Sequence, residues 1–163
     1  MQQIARIFPK NLEHRWRDPK GLIQVLLGPR QVGKTTAATA LSNPENTIFF
    51  SADAPAPPAA SVIEEQWRAA RALKHPERTL VLDEIQKIPG WSEVVKKLWD
   101  EDKRQHHPLR VAILGSSALL IEKGLSESLT GRYESNFFPH WTLREVRQLA
   151  SVSIDTYLKL GGY

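Results

Sequence analysis

The chain has 163 residues, of which 41% are hydrophobic and 25% charged, a composition typical of one globular domain. It contains no cysteine, which excludes disulfides, cysteine nucleophiles and metal sites with cysteine ligands. The formal net charge is +4, the N-terminus has no apolar signal segment, and no apolar run approaches the ~20 residues of a membrane span. We therefore expect a soluble, cytoplasmic protein.

Five short apolar runs predict β-strands, and their continuous apolar character is typical of a parallel sheet covered on both faces. The runs cover 22–27, 47–50, 79–82, 111–114 and 134–138. Helical patterns lie between them, at 34–41, 61–73, 91–99, 119–129 and 143–149, and a Pro/Ala-rich connector covers 54–60. The alternation predicts a three-layer α/β sandwich with ligands bound at the carboxyl ends of the strands.

The first of these strand ends opens into a glycine-bounded turn that leads directly into a helix. It reads Gly28-Pro29-Arg30-Gln31-Val32-Gly33-Lys34-Thr35, the G-x-x-x-x-G-K-T pattern of a phosphate-binding loop. The backbone N–H groups of such a loop and the start of the helix bind phosphate oxygens. We expect Lys34 to contact the β- and γ-phosphates, Thr35 to bind Mg²⁺, and Thr36 to donate to the α-phosphate. The alternative is a β–α turn that binds nothing.

An acidic pair, Asp83-Glu84, closes the third predicted strand. Asp83 is placed to hold the hydration shell of Mg²⁺, and Glu84 to act as a general base or to polarise the attacking water. The alternative is simply a polar strand end. An acid directly after the metal-binding aspartate favours hydrolysis, and the absence of an Asn-Lys-x-Asp motif disfavours guanine nucleotides.

Two serines follow the fourth predicted strand. Ser116 or Ser117 could lie beside the γ-phosphate as a polar sensor, or could cap the helix that begins near Ala118. The sequence leaves both assignments open.

These motifs together resemble the bacterial and archaeal AAA-type ATPases that carry a C-terminal nuclease-like domain. The resemblance rests on GPRQVGKTT (28–36), LDEIQ (82–86), IPGW (88–91), LGSS (114–117), SLTGR (128–132) and YLKLGGY (157–163). It implies a P-loop NTPase sandwich with an AAA-type core, a parallel sheet of order 5-1-4-3-2, and ATP binding with slow, regulated hydrolysis. It also implies an ATPase core over 1–140 and, over 141–163, the start of a truncated helical lid.

Other residues gain roles only through that resemblance. Arg132 lies where AAA-type ATPases often present an arginine finger to the nucleotide of a neighbouring subunit, which would imply a homo-oligomer or a partner domain. The alternative is a cation at a helix C-terminus, paired with Glu134. The segment 4–8, or the stretch up to Gly21, could pack against adenine, and the direction in which Arg30 points stays open.

The sequence therefore predicts an ATPase core that binds ATP and Mg²⁺ and hydrolyses ATP to drive or gate a conformational change. One alternative is an ATP-binding switch with negligible hydrolysis, and another is a P-loop kinase of small molecules, which Glu84 disfavours. Basic residues around Trp16 and around His106-His107 leave a nucleic-acid partner open, but the acids among them favour solvated helix faces.

Overall fold

A parallel β-sheet with helices on both faces forms the centre of the molecule. The computed structural model describes residues 12–18, 21–107, 109–149 and 153–160. The strands are β1 (Ile23–Leu27), β2 (Thr47–Ser51), β3 (Thr79–Asp83), β4 (Arg110–Gly115) and β5 (Tyr133–Phe137). The helices are α1 (Leu12–Arg17), α2 (Lys34–Leu41), α3 (Ser61–Ala72), α4 (Trp91–Gln105), α5 (Ala118–Ser128), α6 (Leu143–Leu149) and α7 (Ile154–Leu160). Short 3₁₀ turns cover Pro44–Asn46 and Ile85–Lys87.

The strands lie in the order β2-β3-β4-β1-β5, and every pair is parallel. This confirms the predicted order 5-1-4-3-2. All strands therefore end at one edge of the sheet, which we call the carboxyl rim, and begin at the opposite edge, the amino rim. Leu27 pairs with Gly115, and Asp83 pairs with both Ser51 and Leu114, so the polar strand ends are brought level at the carboxyl rim.

Each face of the sheet has its own apolar core. On one face, alternate strand residues such as Val25 and Leu82 pack against α3, α4 and α5, including the buried side chain of Trp67. On the other, Leu26 and Val81 belong to a second core with residues of α1 and α2. The two-sided burial explains why the central strands read as continuous apolar runs.

Helix α4 extends past the predicted segment, and its last turns carry one side chain whose burial the sequence pattern did not predict. Trp91 and Trp99 are buried as core residues, as the helical spacing predicts. Asp102, expected on a solvated face, is instead only 2% exposed, because its carboxylate accepts hydrogen bonds from Trp67 Nε1 and Arg71 Nε on α3. The helix ends at Gln105, and its C-cap residue His106 adopts a left-handed conformation with φ 56°.

Segment 4–8, proposed from the sequence to contact adenine, lies outside the described residues. Among the helices that the structure describes, none has the length and apolar character needed to cross a membrane.

Candidate nucleotide-binding site

The loop between β1 and α2 curls tightly because glycine occupies the positions where the backbone demands it. Gly28 has φ 154°, and a Cβ atom there would lie 2.2 Å from the carbonyl oxygen of Phe138. Gly33 adopts a left-handed conformation with φ 91° at the N-cap of α2. The two glycines named by the sequence motif are thus needed for the bend. Gln31 is also left-handed, with φ 63°, a feature that the motif did not predict.

Lys34 folds back over this loop. Its Nζ atom donates to the carbonyl oxygens of Gly28 at 2.7 Å and Pro29 at 2.6 Å, and the residue is only 6% exposed. Buried ammonium groups require such acceptors. The hydrogen bonds hold the positive charge beside the loop backbone, at the place where phosphate is expected.

A cleft of about 400 Å³ opens at the carboxyl rim next to the loop. Its lining residues are Arg30, Gln31, Gly33, Lys34, Thr35, Thr36, Asp53, Asp83 and Glu84. The structure therefore brings six of the nine predicted loop residues and the predicted acidic pair to one cavity, although more than forty positions separate them in sequence. Gly28 and Pro29 are not among the lining residues, and their carbonyl oxygens accept instead from Lys34. Val32 does not line the cleft, because its side chain is buried in the core on the α2 face.

Asp83 and Glu84 place two carboxyl groups at the inner wall of this cleft. Burial raises the pKa of Asp83, and the neighbouring charge of Glu84 raises it further, whereas Lys34 acts in the opposite direction. A cation at this position would relieve the repulsion between the carboxylates, and the hydroxyl of Thr35, which lines the same cleft, is a second oxygen donor. These hard oxygen donors suit Mg²⁺, which typically completes its coordination with water and phosphate oxygens.

Within the described ranges, no group of three or more His, Cys, Asp or Glu side chains could hold a metal ion by itself. Asp83 and Thr35 offer one side-chain oxygen group each, so Mg²⁺ held by them would take its remaining ligands from water or from a bound phosphate.

Glu84 is held in an unusual backbone conformation, with φ 52°, and its side chain is 9% exposed. Its Oε2 atom accepts hydrogen bonds from Ser116 Oγ at 2.9 Å and from Gln86 Nε2 at 2.6 Å. Ser117 occupies the N-cap position of α5, but its side chain makes no capping hydrogen bond. The two serines thus differ, since only Ser116 contacts the acidic pair.

Asp53, which follows β2 and lines the cleft, forms an ion pair with Lys87. The hydrogen bond and the charge of Lys87 lower the pKa of Asp53, and the Arg30 guanidinium contributes in the same direction. Arg30 itself is exposed and lines the cleft. The sequence alone does not mark Lys87 or Gln86 as site residues, because a lysine or glutamine after a strand carries no chemical signal of its own.

Arg132 lies at the amino rim, where its carbonyl oxygen accepts from Ile23 N at the start of β1. Its guanidinium binds both carboxylate oxygens of Asp100, at 2.8 and 3.0 Å. The expected pairing with Glu134 is wrong, because Glu134 accepts instead from Arg15 at 2.7 Å. The structure does not bring Arg132 to the cleft of its own chain.

Several of the basic residues that left nucleic acid open make contacts within the chain. Arg17 pairs with Glu13, Arg110 with Glu77, and Lys103 lies 4.3 Å from the ring centroid of Trp99. Of these, only the Arg17–Glu13 pair lies on a solvated helix face, because Arg110 begins a strand with its side chain 13% exposed and Trp99 is buried.

After β5, the chain returns to the phosphate-binding loop. Trp141 Nε1 donates to the Gln31 carbonyl oxygen at 3.4 Å, and Tyr157 Oη on α7 donates to the Trp141 carbonyl oxygen at 2.7 Å. Helix α6 begins with a reciprocal cap in which Thr142 and the buried Glu145 bond each other. The sequence did not predict this link between the C-terminal helices and the loop.

The fold is shared with several solved structures. The chain is similar to the Walker-type ATPase of Pyrococcus abyssi (TM-score 0.62, 17% identity, 98% of this chain and 66% of that chain). It is also similar to the RuvB Holliday junction branch migration motor of Thermotoga maritima (TM-score 0.56, 18% identity, 78% of this chain and 41% of that chain). A DNA polymerase III gamma subunit-related protein of the same organism is similar as well (TM-score 0.60, 8% identity, 93% of this chain and 52% of that chain). The chain thus spans between 41% and 66% of the lengths of these proteins.

No curated protein matches the sequence. Residues 20–147, which are well over half of the chain and include the loop, the acidic pair and all five strands, match the AAA_14 family, described as an AAA domain. The chain belongs to this family of AAA domains and is an ATP-binding core of the P-loop type.

Proposed function

We propose that this core hydrolyses ATP to ADP and phosphate, and that the reaction drives or gates a conformational change. The observation that carries the proposal is the single cleft lined by Lys34, Thr35, Asp83 and Glu84. A phosphate-binding cation, two oxygen donors for a metal and a carboxylate next to them are the groups that phosphoryl transfer to water requires.

Each group then has a definite task. The loop amides and Lys34 bind the β- and γ-phosphates, Thr36 donates to the α-phosphate, and Thr35 and Asp83 hold Mg²⁺, which offsets the phosphate charge when bound. Glu84 accepts a proton from the water that attacks the γ-phosphorus, and the bond to the β-phosphate oxygen breaks to release ADP. We assign the contact with the γ-phosphate to Ser116 or Ser117, of which Ser116 has the support of its hydrogen bond to Glu84.

A neighbouring subunit would complete the site. Arg132 lies at the rim opposite its own cleft, so any contact with a γ-phosphate requires the cleft of another copy. The hydrogen bonds to Asp100 must then break, or Asp100 must move with the arginine. We propose likewise that α6 and α7 begin a lid, which the hydrogen bonds of Trp141 support by joining them to the loop.

The site assignment is tested by titrating ATP and Mg²⁺ into variants by calorimetry. Lys34→Ala should weaken ATP binding ~100-fold, because it removes a buried cation from the phosphates. Lys97→Ala, which removes an exposed lysine on α4 that pairs with Glu64, is the matched control and should bind ATP like the parent. Equal affinity of Lys34→Ala and the parent would contradict the site.

Hydrolysis is tested separately by phosphate release at saturating ATP. Glu84→Gln should retain ATP affinity and lose turnover by a factor of about 10² to 10⁴, the usual contribution of a general base. Turnover equal to that of the parent would exclude Glu84 from the reaction.

An ATP-binding switch with negligible hydrolysis is the second candidate. It is favoured by the contact between Trp141 and Gln31, through which an occupied loop could reposition α6 and α7 without chemistry. In that case the parent protein binds ATP but releases no phosphate, and Trp141→Phe abolishes any change in tryptophan fluorescence on binding.

A further inference from the structure

Gln86 lies in the 3₁₀ turn that follows the acidic pair, and the functions assigned so far make no use of it. Its neighbour Ile85 and the turn's C-cap residue Ile88 are fully buried, so the turn is anchored in the core below the cleft. This anchoring holds the Gln86 amide next to the Glu84 carboxylate, two residues earlier in the chain.

The hydrogen bonds of this carboxylate are one-sided. Gln86 Nε2 and Ser116 Oγ both donate to Oε2, at 2.6 and 2.9 Å, and no hydrogen bond to Oε1 occurs within the described residues. The donors come from two different elements, the turn after β3 and the end of β4. Hydrogen bonds to an ionised acceptor are short and strong, so together they restrict the rotation of the carboxylate.

The backbone supports the same geometry. Glu84 N donates to the carbonyl oxygen of Leu114 at 2.9 Å, which joins the left-handed residue to β4 just ahead of Ser116. Both the main chain and the side chain of Glu84 are therefore fixed by the neighbouring strand and its end.

The other end of the Gln86 amide shows that this arrangement is not optimised for stability. Its Oε1 atom is buried without a hydrogen-bond partner, and a Cβ atom on Gly115 would lie 3.0 Å from it. Turning the amide over would place Oε1 against the carboxylate of Glu84 and lose the hydrogen bond. A buried unsatisfied carbonyl is unfavourable, and sites that tolerate one commonly do so for function.

We propose that Gln86 is a positioning residue which, with Ser116, holds the Glu84 carboxylate through Oε2 and leaves Oε1 to accept the proton of the attacking water. This inference rests on the proposed function and deepens it. Gln86 acts through Glu84 and contacts no phosphate, so it controls turnover and not the affinity for ATP.

The first test is Gln86→Met, which keeps the length of the side chain while it removes both the donor and the unsatisfied oxygen. We expect turnover to fall about 10- to 100-fold, as for other residues that orient a reactive side chain. The affinity for ATP should stay within about twofold of the parent, and the melting temperature should be unchanged or higher. A purely structural glutamine would give the opposite result, a lower melting temperature with turnover retained, and would overturn the proposal.

Gln105→Ala is the matched control, because Gln105 is an exposed glutamine at the end of α4, near the amino rim. The double variant Glu84→Gln/Gln86→Met completes a cycle. It should turn over no more slowly than Glu84→Gln alone, whereas a further loss as large as that of the single Gln86 variant would show that Gln86 acts independently of Glu84.

A spectroscopic measurement decides the proposal even if the parent protein does not hydrolyse ATP. In ¹⁵N-labelled protein, the side-chain amide signals of Gln86 are those that Gln86→Met lacks. We expect one of these protons to lie downfield of its Gln105 counterpart and to move towards it in Glu84→Ala. If the Gln86 amide signals keep their positions in Glu84→Ala, the positioning contact is refuted. If the parent protein releases no phosphate, the proposed hydrolysis is refuted, but the contact between Gln86 and Glu84 is not.

Discussion

At the scale of the residue, the carboxyl rim concentrates strained backbone. Three non-glycine residues in the described ranges have positive φ, and two of them, Gln31 and Glu84, line the cleft. Residues in such conformations persist only where the surroundings hold them, and they cluster at functional sites. Glu84 is held by its hydrogen bond to Leu114, which shows how the fold maintains a residue of the cleft in a backbone conformation that the isolated chain would avoid.

Of the substitutions that add a single methyl group to the loop, Gly28→Ala should reduce stability most. The new Cβ would meet the Phe138 carbonyl oxygen at 2.2 Å, and Phe138 N already bonds the Leu27 carbonyl at 2.7 Å, so neither backbone can move easily. We expect a loss of about 1–3 kcal/mol in the free energy of unfolding, measured with urea, and weakened ATP binding.

Gly90→Ala is the control for this substitution. Gly90 also has positive φ, at 73°, but no atom lies within 4 Å of an added Cβ, so only the backbone strain is introduced. If the two alanine variants lost equal stability and both bound ATP normally, the close contact with Phe138 would have no energetic importance.

At the scale of the element, α3 and α4 are joined by a buried polar contact within an apolar interface. Asp102 on α4 accepts from Trp67 Nε1 at 2.7 Å and from Arg71 Nε at 2.8 Å. Trp67 and Asp102 are both almost fully buried, and Arg71 also donates to the Leu98 carbonyl oxygen. The contact fixes the register of α3 against α4, since a shift of either helix would leave buried donors unpaired.

Asp102→Ala should therefore destabilise the protein by about 1–3 kcal/mol, because it leaves a buried indole N–H and a partly buried guanidinium without their acceptor. Glu101→Ala removes the adjacent carboxylate, whose distance to Arg71 is longer at 3.4 Å and which is more exposed, and should cost about 1 kcal/mol or less. Urea unfolding of the two variants measures the difference between their free energies of unfolding. Similar losses in the two variants would contradict the inference that the burial of Asp102 makes its contacts the more stabilising.

At the scale of the whole molecule, the parallel sheet separates two kinds of polar chemistry. At the carboxyl rim lies the cleft, where the neighbouring carboxyl groups of Asp83 and Glu84 repel each other. Near the amino rim, ion pairs such as Arg132–Asp100 and Arg110–Glu77 join different elements. Because the two sets of groups lie at opposite edges of the sheet and share no hydrogen-bond partner among those described, a substitution at one rim should leave the properties of the other unchanged.

The pair of Arg132 and Asp100 tests this separation. Arg132 lowers the pKa of Asp100 in the folded protein, so the carboxylate adds stability above its unfolded pKa, and this contribution is lost as the pH falls through the lowered folded value. Asp100→Asn should therefore lower the free energy of unfolding by about 0.5–1 kcal/mol at pH 7 and by much less near pH 3. Its ATP affinity should equal that of the parent.

Arg132→Ala breaks the same pair and should lose similar stability, again without an effect on ATP affinity. If Arg132 also serves a neighbouring subunit, only this variant loses turnover, and the loss grows with protein concentration. A weakened ATP affinity in either variant would show that the two rims are coupled.

Local patterns in the sequence by themselves determined the five strands, most helix limits, the glycine positions of the loop and the acidic pair, while the sheet order followed from the family resemblance. The local features depend on hydrophobic periodicity and on backbone conformations that particular residues require, both of which are written in neighbouring positions. Only the tertiary structure decided which partner each polar side chain binds: Ser116 with Glu84, Asp100 with Arg132, Trp67 with Asp102. These partners lie some thirty positions apart, and their contacts exist only because packing of the sheet and helices brings distant segments within hydrogen-bond distance.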